Sequence, residues 1–99
     1  MTDWLDILKE QAETGAAMAR EVPVTLANPD ISREQVKKLF TALEQQAEFV
    51  EKLRKVLEAN DFEPEVLVAA EKLEDRYADL AASAAERLKA MRSGSTARQ

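Results

Sequence analysis

Apolar residues recur at spacings of three and four along nearly the whole chain, the repeat of helices that bury one face. In the first segment Leu5, Leu8, Ala12, Gly15, Ala19 and Val22 share such a face, with Trp4, Ile7 and Met18 widening it. Thr2 or Asp3 is placed to cap this helix, which is predicted over 3–21. Gly15 in its interior costs about 1 kcal/mol relative to Ala. That cost implies either close approach of a neighbouring backbone or a break at Thr14-Gly15. The stretch 22–31 holds Pro23 and Asn28-Pro29 and reads as an extended connection. Its apolar Val24, Leu26 and Ile31 are expected to lie against the helices.

A second helix is predicted over 32–60. Ser32-Arg33-Glu34-Gln35 has the form of a capping box, with Ile31 placed to staple onto the first turn. Val36, Leu43, Val50 and Leu57 repeat every seven residues, and Leu39, Gln46 and Leu53 fill the second seam position. Glu34–Lys38, Glu48–Lys52 and Glu51–Lys55 are acid-to-base pairs four apart, each contributing a few tenths of a kcal/mol. After a short connection ending at Pro64, a third helix is predicted over 63–92. Its apolar face is Val66, Ala70, Leu73, Tyr77, Leu80, Ala84, Leu88 and Met91. Ser93-Gly94-Ser95-Thr96 is read as its stop, with 93–99 a disordered tail.

The short second connection forces helices two and three into an antiparallel hairpin. Pairing outward from the turn sets Leu53 near Ala70 and Gln46 level with Tyr77, where an amide–hydroxyl contact or a shared polar layer is expected. Each long helix spans about 42 Å, and the first about 28 Å. The expected fold is all-α: one domain, 1–92, forming an up-down-up three-helix bundle on this hairpin. The alternative is a hairpin that dimerises into a four-helix bundle.

Composition narrows the chemistry. The 99 residues contain no His and no Cys, which removes imidazole and thiolate metal sites, Ser-His and Cys-His nucleophiles, and disulfides. A net charge of −5, with the acid mainly on helices one and three, argues against nucleic acid as a partner. Acid stands at the N-terminus where a signal peptide carries base, and no uncharged stretch approaches the roughly 20 residues of a membrane span. The chain therefore reads as cytoplasmic.

Carboxylates are the remaining catalytic material. Glu48-x-x-Glu51 followed by Glu71-x-x-Glu74 resembles the acidic pairs with which all-helical nucleotide pyrophosphohydrolases hold Mg²⁺, although the last position in that pattern is usually Asp. The resemblance implies a Mg-dependent enzyme. The hairpin register, however, puts all four glutamates on the outer face. Tyr77 reads as a core-edge residue with its hydroxyl at the rim rather than a catalytic acid.

More apolar surface remains than one seam needs. Trp4, Met18, Phe40, Phe49, Val56, Val68 and Met91 are candidate interface residues, with Trp4 alternatively packed near Leu57, Phe62 and Val66. Gln46 and Tyr77 are the candidate polar layer. The sequence thus favours a non-enzymatic interaction module, an adaptor, chaperone-like or inhibitor protein. It would bind a protein partner or a second copy through helix faces, with no cofactor, metal or small-molecule ligand implied. The alternatives are the Mg-dependent enzyme and an amphipathic protein coating a granule or lipid surface.

Overall fold

The computed structural model describes residues 3–97, with side chains described as far as Met91. Three helices, α1 (Trp4–Ala27), α2 (Arg33–Ala59) and α3 (Pro64–Ala97), run up, down and up in a bundle. No strand occurs among the described residues. The α2–α3 hairpin has the most extensive contact. α1 lies mainly on α3 and touches α2 least.

The caps follow from local chemistry. Asp3 Oδ1 accepts from the backbone N–H groups of Leu5 (3.1 Å) and Asp6 (3.3 Å), satisfying two donors at the start of α1. At α2, Gln35 N–H donates to Ser32 Oγ (3.1 Å) while Ser32 N–H donates to Gln35 Oε1 (2.9 Å), a complete capping box. Past the end of α2, Asp61 turns the chain with a left-handed φ of 54°. That turn lets Phe62 N–H reach Leu57 O and Asp61 N–H reach Glu58 O, so two terminal carbonyls are satisfied.

The first connection is shorter than the sequence predicts. α1 continues through Pro23 to Ala27, so 22–27 is helical rather than extended. Proline inside a helix costs about 3 kcal/mol through its missing N–H and its clash with the preceding turn. Val22 and Leu26 carry the buried face of Leu8 and Gly15 one turn further. Burying two such side chains contributes about 1.5–3 kcal/mol each, which outweighs the proline. Leu26 and Ile31 are buried as expected, but Val24 points away from the bundle and is 72% exposed. The bend is set by Asn28, whose Oδ1 accepts from Asp30 N–H at 2.9 Å.

α3 also runs past its predicted end, and Ser93 to Thr96 lie within the helix. Gly and Ser there weaken the helix by about 1 kcal/mol or less per residue, and no proline blocks it. Of the predicted tail, residues 98 and 99 lie outside the described part.

The core joins Val36, Leu43, Val50, Leu53 and Leu57 of α2 to Ala70, Leu73, Tyr77, Leu80, Ala81 and Ala84 of α3. Large residues on one helix facing small ones on the other let the pair interdigitate. α1 seals one side through Leu8, Gly15, Val22 and Leu26. Its helix is unbroken at Gly15, and the close neighbour there is a side chain rather than backbone. A Cβ at Gly15 would sit 2.6 Å from Leu73 Cδ1 and 3.7 Å from the Tyr77 ring.

Candidate interaction surface

The seven candidate interface residues divide by burial. Trp4, Met18, Phe40 and Met91 are half-buried and pack against the core, so they complete the bundle. Val56 is half-buried on α2. Phe49 and Val68 stay 45% and 46% exposed. Leu5, assigned by its spacing to the buried face, is 47% exposed, because the face of α1 that meets α3 runs through Leu8 and Gly15 instead. Ala12, on the same assigned face, is likewise exposed and lines a shallow cavity of about 200 Å³ with Ala69, Lys72, Leu73 and Arg76.

These exposed groups fall at two places. The short turn between Ala59 and Pro64 sets the hairpin register and puts Phe49 level with about residue 74 of α3. Val68 then lies about 9 Å further toward the turn, at 1.5 Å per residue. The Gly15–Leu73 approach sets Leu5 near the level of residue 63, roughly one and a half helical turns from Val68. Leu5 and Val68 thus stand toward the same lower end of α1 and α3, and Phe49 stands alone on α2.

Arg54 is the polar link between the two long helices. Its Nε donates to Glu74 Oε2 (2.6 Å) and another guanidinium nitrogen to Glu58 Oε1 (2.6 Å). Hydrogen bonds to Glu74 and Glu58 hold the guanidinium charged, raising its pKa above an already high value. Glu74 is therefore half-buried against α2, whereas the sequence placed it on the outer face. Arg54–Glu58 runs base before acid, the reverse of the glutamate-before-lysine spacing that marks the other pairs within α2. Glu74 lies a turn beyond the residue opposite Arg54, a reach only a long side chain makes. Glu48–Lys52 (3.2 Å) and Glu51–Lys55 (3.0 Å) form as expected, and Lys55 holds the Glu51 carboxyl below its ordinary pKa. Glu34–Lys38 is not among the ion pairs of the described residues.

The four glutamates of the Mg²⁺-like pattern do not converge. Glu48, Glu51 and Glu74 each face a cation, Glu71 is exposed, and no cluster of three ligating side chains occurs among the described residues.

The polar layer differs in detail from the expectation. Tyr77 is wholly buried, hydroxyl included, instead of reaching the rim. Neither its hydroxyl nor Gln46 Oε1 has a hydrogen-bond partner, so the amide–hydroxyl bond is not formed. Gln11 Oε1 and Arg87 Nε are likewise buried and unpartnered. Burial pushes the Tyr77 phenol above its usual pKa, and nearby Arg76 pulls the other way.

No helix among the described residues is long and apolar enough to cross a membrane. No protein-family description, curated protein or solved structure matches the chain.

Proposed function

We propose that this protein is a non-enzymatic interaction module of the cytoplasm that docks a protein partner through exposed apolar helix faces. The observation that carries this reading is the exposure of Phe49, Leu5 and Val68, with Val24 beyond them near the end of α1, on helices whose other large apolar residues are covered. Scattered apolar residues are common on surfaces, but aromatic and large aliphatic groups in partly open grooves are what helix-in-groove recognition uses. Burying Phe49 against a partner adds about 1 kcal/mol or more, enough to anchor a contact that polar neighbours then orient.

Affinity capture from the native cell, comparing wild type with Phe49→Glu and Val68→Glu, tests it. The wild-type chain retains a protein that one or both folded variants lose. Identical sets of captured proteins would refute docking by these faces. The Mg-dependent alternative gains nothing from four glutamates of which three are already paired with cations.

A further inference from the structure

We propose that α1 is a detachable cover, which undocks and unfolds as one unit while the α2–α3 hairpin stays folded. Opening bares the hairpin face that α1 covers. The proposal stands on how α1 is attached and does not rest on the apolar-face reading above.

The attachment is sparse. Of the 24 residues of α1, Leu8, Gly15, Val22 and Leu26 are the buried ones, and Gly15 has no side chain. Trp4, Ile7 and Met18 pack half-buried along the edge. Among the described residues, no hydrogen bond or ion pair joins α1 to α2 or α3. The hairpin differs on each count. Val36, Leu43, Val50, Leu53 and Leu57 of α2 are almost completely buried, and Arg54 bonds Glu74 across to α3. Docking of α1 also carries a cost, since Gln11 Oε1 is buried without a hydrogen-bond partner. Detachment returns that amide to water.

Once detached, α1 has little to hold its shape. Gly15 and Pro23, the two poorest helix-forming types, lie inside it, and Val22, Val24 and Thr25 are β-branched. Even good sequences of such length are marginal helices in isolation. Undocking and loss of helix therefore coincide, which makes α1 one cooperative unit. The bend between α1 and α2 serves as the pivot. Asn28, Pro29 and Asp30 are exposed, and the hydrogen bonds there are local, from Asp30 N–H to Asn28 Oδ1 and from Ile31 N–H to Asn28 O. The side chains of Leu73, Arg76 and Tyr77 lie against Gly15. Leu80, two turns on from Leu73, shares their face. Closed, the molecule hides this apolar strip; open, it presents it.

Hydrogen exchange of the backbone amides, followed by NMR on the full chain, reads each opening separately. The best-protected amides of α1, between Leu8 and Val22, share one protection factor, at least about tenfold below that of the best-protected amides of α2 and α3. Arg54→Ala breaks a link inside the hairpin. It lowers hairpin protection about fivefold and leaves α1 protection unchanged. Leu8→Ala weakens docking and lowers α1 protection about 30-fold or more. Hairpin protection falls by the same factor in that variant, because global unfolding also loses the Leu8 contacts. Equal protection in all three helices, or an Arg54→Ala effect as large in α1 as in the hairpin, makes the bundle a single unit and overturns the proposal. So does α1 protection indifferent to Leu8→Ala, which is the mark of local fraying.

Discussion

Tyr77 buries its entire side chain among Leu73, Leu80 and their neighbours, and its hydroxyl finds no partner. An unsatisfied buried hydroxyl costs about 1–3 kcal/mol. Tyr77→Phe keeps the ring and removes that cost, so chemical denaturation should show a gain of about 1 kcal/mol. A loss of stability would mean that the hydroxyl is hydrogen-bonded. The phenol also sets an alkaline limit. Its folded pKa is raised, so stability is complete below about pH 10, where the unfolded phenol begins to ionise, and falls as pH climbs toward the folded value. Tyr77 is the one tyrosine, which makes its absorbance a direct readout. Tyrosinate should appear together with the loss of helix and not before it. Asp61 is a second residue whose side chain opposes its backbone. Its positive φ suits glycine, and Asp61→Gly should raise the unfolding midpoint, equivalent to about 0.5–1 kcal/mol.

Each helix's existence was written in its spacing, but where it ends was decided by packing. The seven-residue repeat from Val36 to Leu57 marked α2, and all four repeat positions are buried. Pro23 and Asn28-Pro29 look alike as punctuation, yet only the second ends α1. The difference is that Val22 and Leu26 meet the core, a long-range fact that local chemistry does not contain. Leu5 was misplaced for a related reason, since the axis of α1 is set by Gly15 against Leu73. That contact yields a prediction. Gly15→Val should destabilise by about 1–3 kcal/mol through overpacking. In Gly15→Ala, the gain of about 1 kcal/mol in helix propensity is opposed by Leu73 Cδ1. Adding Leu73→Ala removes the obstruction, so a double-mutant cycle should show favourable coupling between the two changes. The Arg54 link joins α2 to α3 at a site only about one-fifth exposed. Arg54→Ala should cost about 1 kcal/mol, less in high salt, read from unfolding curves at two ionic strengths.

The whole molecule is a rod of 56 × 21 × 19 Å with a radius of gyration of 16.1 Å, against about 13 Å for a compact chain of this length. An elongated bundle exposes more helix face per residue than a sphere, and here α1 covers less of α2 than of α3. The candidate site was partly legible in the sequence. An excess of apolar residues over one seam was visible, but which of them face solvent depends on where α1 lies, so Phe49 and Trp4 looked equivalent until it was placed. The central claim is that Phe49 and Val68 are surplus to the fold and available to a partner. Thermal unfolding of the Phe49→Glu, Val68→Glu double variant tests that most directly. Surface changes of this kind amount to about 0.5 kcal/mol each, and about 1 kcal/mol moves Tm by roughly 4–8 °C in a domain this size. A Tm within about 8 °C of wild type, with full helix content, is the predicted result. A collapse comparable to Leu43→Ala, about 2–5 kcal/mol, would make these residues core and contradict the account.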